Sequence, residues 1–87
     1  MVSEKVRVNN PSGLHLRPAG ILCKEAMKYK SLITFQYGQE SDNASSVLSV
    51  MDARVKCGDE ITIFCEGEDE TEALRNLVTV INNGLGE

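Results

Sequence analysis

The apolar residues of this 87-residue chain change their spacing several times, and that alternation limits the folds open to it. Val6 and Val8 alternate with Lys5, Arg7 and Asn9. Ile33, Phe35 and Tyr37 alternate with Thr34 and Gln36, and Ile61, Ile63 and Cys65 with Thr62, Phe64 and Glu66. A period of two marks a strand with one buried face. Between these strands the spacing becomes helical. From about residue 16 to Tyr29, Ala19, Leu22, Cys23 and Ala26 recur at i, i+3, i+4 and i+7, with Pro18 near the start, where a missing N–H costs nothing. Ser46 to about Asp52 offers one or two further turns. The last helix is expected to begin at Asp69, with Glu72 three residues on as a capping-box partner. Its apolar stripe is Leu74, Leu77, Val78 and Ile81, and Gly84 is its stop. Gly38 opens a turn into a short polar strand at residues 40–43.

The expected order is strand, helix, strand, strand, helix, strand, helix. Strands with one apolar face and helices with one apolar stripe make a two-layer α+β domain, here a single domain spanning residues 1–87. Short connections favour a mostly antiparallel sheet, one face under the helices and the other in water.

Composition excludes several classes of function. The formal net charge is −4 and the nine Lys and Arg are scattered, whereas nucleic-acid binders show a basic stripe. No apolar run approaches the ~20 residues that span a bilayer, and the first residues lack a signal-peptide stretch, so the expected location is cytoplasmic. Cys23, Cys57 and Cys65 form no CxxC pair, so neither a metal site nor a redox motif is signalled; all three are expected to be small buried hydrophobes. No cofactor is implied, and a monomer is the default.

His15 is the only histidine, and it stands between the turn-forming residues 9–13 and the first helix. A helix N-terminus presents N–H groups without intrahelical partners, and the aligned peptide dipoles make it electropositive. It is a ready anion site. Arg17 adds a guanidinium that pairs with phosphate oxygens in bidentate fashion. A nucleophilic nitrogen, a positive helix end and an arginine within one turn suit phosphoryl transfer, in which catalysis is chiefly positioning and electrostatic stabilisation.

The string Gly13-Leu14-His15-Leu16-Arg17-Pro18-Ala19 closely resembles the active-site signature of HPr, the histidine-containing phosphocarrier of the bacterial phosphoenolpyruvate-dependent sugar phosphotransferase system. The resemblance extends over the chain, through residues 58–63, the 67–70 turn and the final Gly84-Leu85-Gly86-Glu87. It implies an open-faced β-sandwich, a four-stranded antiparallel sheet with three helices packed on one face. It implies a carrier rather than an enzyme. Enzyme I would phosphorylate Nδ1 of His15, and the phosphohistidine would donate to enzyme IIA of a sugar permease. Arg17 would contact the phosphate, and the backbone N–H groups of Leu16 and Arg17 would orient it. Ser46 falls on the regulatory serine of Gram-positive-type relatives. There HPr kinase/phosphorylase would act in carbon catabolite repression, and the product would bind a catabolite-control transcription regulator. The chain departs from the family pattern at Ser45, usually lysine, and at Leu16, Gly20, Asp52 and Arg54.

A carrier docks through an apolar patch ringed by polar groups. Gly20, Ile21, Lys24 and Met27 lie off the core stripe of the first helix. Val47, Leu48 and Met51 would complete the patch, with Val50 in the core. Two rival readings remain: a regulatory relative in a non-sugar phosphotransferase branch, and a small ligand-binding α+β domain outside the system. The second would not need His15 beside Arg17. Carbon-regulatory relatives without transfer activity have lost the histidine.

Overall fold

A computed structural model describes all of residues 1–87. The elements are β1 (Val2–Arg7), α1 (Leu16–Ala26), β2 (Leu32–Tyr37), β3 (Glu40–Asn43), α2 (Val47–Asp52), β4 (Glu60–Glu66) and α3 (Glu70–Asn82). The strands form one antiparallel sheet in the order β1-β4-β2-β3. This is the open-faced arrangement expected, with the strand order now fixed.

The period-two pattern explains the register. Val6 pairs with Ile61, and Ile63 with Phe35, so apolar residues stack in rows on one face. On the other face Lys5, Thr62 and Gln36 form a polar row. The buried residues join the inner faces of the helices in one 20-residue core containing Leu22, Phe35, Val50, Ile61, Ile63, Leu77 and Ile81. Burying such side chains contributes roughly 1.5–3 kcal/mol each. α3 packs on β1 and β4, while α1 bridges α2 and α3.

Four local expectations are corrected. First, α1 stops at Ala26, not Tyr29. The chain tightens into i→i−3 bonds, Lys28 N–H to Glu25 O and Tyr29 N–H to Ala26 O, because it must turn at once into β2. The Tyr29 hydroxyl is fixed outside the helix by bonds to Glu25 and Asn76. Second, Asp69 and Glu72 make no capping box. Asp69 stands at the N-cap of α3 with no side-chain cap bond. Its carboxylate instead accepts the N–H groups of Lys30 (2.9 Å) and Ser31 (3.0 Å) and the Ser31 hydroxyl. Glu70 takes the local role, accepting from Gly67 N–H at 3.2 Å. Third, Ala73 replaces half-buried Leu74 in the buried stripe of α3. Fourth, Cys57 is exposed, because it sits in a turn whose Gly58 N–H bonds Val8 O at 2.7 Å. Cys23 and Cys65 are buried, and burial, with smaller contributions from Asp69 and Glu70, pushes the Cys65 thiol up to about 11.

The Asp69 anchor gives the fold an acid-sensitive joint. The Ser31 hydroxyl, then the Lys30 N–H, hold its carboxyl below the ordinary carboxylate value. A group whose folded pKa is depressed binds more protons when unfolded, so stability rises with pH. The contribution is complete above the unfolded value, near 4, and is lost as pH falls through the folded one. Asp69→Asn is expected to lower stability at neutral pH and to flatten the stability–pH profile below pH 4. Denaturant titrations at several pH values check this, and an unchanged acid limb would contradict it.

Candidate functional site

Residues 10–15 place the only imidazole at the mouth of α1. Asn10 is buried, and its amide donates to Gly13 O at 2.7 Å while Gly13 N–H bonds back to Asn10 O at 3.1 Å. The Glu87 carboxylate clasps the same turn, accepting from Asn10 Nδ2 (3.0 Å), Ser12 N–H (3.1 Å) and the Ser12 hydroxyl (2.6 Å). The Ser12 hydroxyl, Asn10 amide and Ser12 N–H hold the Glu87 carboxyl below its ordinary value, with a smaller contribution from the charge of Arg17. Gly13 then takes a left-handed φ of +63°. Leu14 is buried, and its N–H bonds Val55 O at 3.0 Å.

His15 is the N-cap of α1, with extended backbone and no side-chain cap bond. The ring is exposed and has no hydrogen-bond partner within the chain. The first intrahelical bond is Ala19 N–H to His15 O, 2.8 Å. Pro18 has no N–H, so the mouth of α1 presents two unpartnered donors, on Leu16 and Arg17. These are the two backbone groups to which the family resemblance gives the orienting of a phosphate. Arg17 is exposed and makes no ion pair within 4.0 Å. The arrangement offers a nucleophilic nitrogen, two aimed N–H donors, a positive helix end and a guanidinium to an incoming anion.

Beside His15 lies an open hollow of about 360 Å³, lined by Leu14, His15, Met51, Arg54, Val55 and Lys56. Sequence reasoning missed Arg54 and Lys56 as neighbours of His15. The one signal was the departure of Arg54 from the pattern that the family resemblance implies. The pairing of residue 14 with residue 55 that brings the segments together leaves no local trace.

Ser46 is the N-cap of α2, and its hydroxyl accepts from Ser49 N–H at 3.3 Å. The structure thus gives it a structural task as well as partial exposure. The expected docking residues lie on α1 and α2, which pack together. Lys24, Met27 and Leu48 are exposed, Val47 and Met51 half-buried, and Val50 is in the core. Leu16 joins them: Leu16, Met27 and Leu48, 66 to 73% exposed, are three of the five most exposed large apolar side chains. Gly20 and Ile21 are less open. The C-terminal segment crosses Ile21 so closely that a Cβ on Gly86 would fall 2.6 Å from its Cδ1.

The family model described as "PTS HPr component phosphorylation site" matches residues 2–83. The chain belongs to the HPr family. Proteins of the HPr family are phosphocarriers rather than catalytic enzymes. The chain is 36% identical to the HPr-like protein Crh of Bacillus subtilis, over 93% of its own length and 95% of that protein's. It is 38% identical to phosphocarrier protein HPr of Mycoplasma capricolum, over 90% and 89%. The crystal structure of HPr-C-His from Thermoanaerobacter tengcongensis superposes with a TM-score of 0.96 at 33% identity, covering 100% of this chain and 98% of that one. The expectation of a monomer finds no support here, since HPr from the same organism has also been solved as a dimer (TM-score 0.80, 33% identity, all of both chains covered). No helix is long and apolar enough to cross a membrane.

Proposed function

We propose that this chain, as a single cytoplasmic domain, accepts a phosphoryl group on Nδ1 of His15 from phosphorylated enzyme I and passes it to enzyme IIA of sugar permeases. One observation carries the reading: the sole imidazole is unengaged and exposed at an electropositive helix mouth, with Arg17 two residues on. Neutral imidazole is the nucleophile, and the helix end and Arg17 stabilise the charge on the transferring oxygens. Leu16, Gly20, Ile21, Lys24, Met27, Val47, Leu48 and Met51 form the docking surface, in which Lys24 and Arg17 steer acidic partners. A carrier must leave its donor before it meets its acceptor, so the contact is small and transient.

The test is incubation with enzyme I and phosphoenolpyruvate. An acid-labile gain of one phosphoryl mass is expected; no gain, or a gain that survives loss of His15, sinks the reading. Arg17→Ala is expected to slow transfer about tenfold or more without abolishing it, the effect of one charge-assisted bond. A wild-type rate in that variant would make the arginine a bystander.

A second, regulatory reading draws on the likeness to Crh. Phosphorylation of Ser46 by HPr kinase/phosphorylase would add charge beside the docking surface, repel acidic partners and create a surface for a catabolite-control transcription regulator. Incubation with that kinase and ATP is expected to modify the wild type and Ser45→Ala but not Ser46→Ala. Modification of Ser46→Ala would place the phosphate elsewhere.

A further inference from the structure

Arg54 ends α2 at a φ of +58°. Glycine enters that region freely, whereas an L side chain is strained there. Helices commonly end on a left-handed residue, and it is usually glycine. Leu85 is the other non-glycine residue with positive φ, and its reason is packing, since it is wholly buried in the core. Arg54 has no such reason. It is exposed, and its guanidinium makes neither a hydrogen bond nor an ion pair. The ion pairs all lie elsewhere: the Met1 amino group with Glu70, Arg7 with Glu60, Lys28 with Glu25 and Lys30 with Glu68. Strain retained at an exposed position, with nothing in the fold using the side chain, points to a task outside the fold.

The surroundings supply that task. Arg54 and Lys56 line the hollow that His15 also lines. Leu14 and Val55 are both buried, and the Leu14–Val55 backbone bond ties the two segments. The backbone therefore sets how far the 54–56 segment stands from the imidazole. Arg17 does not line this hollow, and its charge is felt at Glu87. Lys56 is partly answered by Asp59, whose carboxylate is held ionised by the Tyr37 hydroxyl, then by the Lys56 N–H, and least by the Lys56 charge. Arg54 is the unanswered charge, in a chain whose net charge is −4.

We propose that Arg54, with Lys56 adding charge beside it, is a second phosphate-binding residue, receiving the oxygens of the phosphoryl group on His15 from the α2 side. The proposal rests on the reading of His15 as the phosphoryl acceptor. In the transfer the imidazole lone pair forms the new N–P bond while the donor–phosphorus bond breaks, its electron pair leaving with the donor. The proton on the other ring nitrogen stays in place. Arg54 moves no proton; its fixed charge offsets the negative charge on the three phosphoryl oxygens.

The test loads His15 chemically with phosphoramidate, so that no partner protein is present, and follows the phosphoryl resonance by 31P NMR across pH. In Arg54→Gln the phosphoryl group is expected to bind its proton about fivefold more tightly than in the wild type, the effect of one unit charge about 4 Å away in water. Arg54→Lys should restore most of the difference. Asp52 and Asp59, the nearest carboxylates along the chain, are unchanged in both variants. Arg54→Gly should match Arg54→Gln in the NMR titration while raising the thermal midpoint, because the strain is relieved. Transfer from enzyme I should slow about tenfold in both neutral variants. Identical 31P titrations in wild type and Arg54→Gln would overturn the proposal. If transfer slowed all the same, Arg54 would be meeting an acidic group of the partner instead. Failure of the wild type to take up phosphate on His15 would sink the carrier reading itself, and this proposal with it.

Discussion

His15→Ala is expected to abolish phosphoryl uptake while leaving the fold intact. The chain has one histidine, so no second imidazole can take over. The ring is exposed and makes no cap bond, so its removal leaves no buried group unpaired. The structural work of this residue belongs to its backbone, whose carbonyl accepts from Ala19 N–H, and alanine preserves that bond. Surface changes of this kind fall within about 0.5 kcal/mol. Mass spectrometry after incubation with enzyme I and phosphoenolpyruvate should show no added phosphoryl group, and the denaturant midpoint should stay near that of the wild type. A large fall in stability would mean that the imidazole is part of the packing and not a free acceptor.

Gly13→Ala should do the opposite, damaging the fold first and the chemistry as a consequence. At a φ of +63° alanine is strained, and its Cβ would lie 2.5 Å from Val55 O and 2.9 Å from Lys56 Cα. Both are backbone atoms, so no rotamer change can relieve the clash. The two segments must separate, and with them the Leu14 N–H to Val55 O bond that fixes His15 against the hollow. Left-handed strain and overpacking together should cost about 2–4 kcal/mol. A shift in denaturant midpoint at constant slope measures the loss. A loss below about 1 kcal/mol would show that the seam between residues 13–14 and 55–56 yields easily.

The elements whose burial follows a simple period were legible in the sequence. Val6, Ile33, Phe35, Ile61, Ile63 and Cys65 occupy the inner sheet face because alternate strand residues face one way. His15 at a helix start could be read because turn formers and Pro18 bracket it locally. The features that escaped reading join residues far apart in the chain. Asp69 resembles a cap in sequence, yet its carboxylate serves Lys30 and Ser31, 39 and 38 residues earlier. Arg54 reads only as a departure from the family pattern until the Leu14–Val55 bond sets it at the hollow that His15 lines. Cys57 counts as an apolar residue until the turn that carries it faces water. Periodicity reports which face a residue takes, but not which distant segment lies opposite it.

The strand order also has a consequence in time. β1 lies at the sheet edge, and β4, made of residues 60–66, is its sole partner. The clasp on Ser12 comes from Glu87, 75 residues downstream. His15 therefore leaves a ribosome well before residues 60–66, and until those are made the strand before it has nothing to pair with. The imidazole is made well before the residues that will hold its neighbourhood in place. A nascent chain thus carries a bare imidazole before the fold that surrounds it exists.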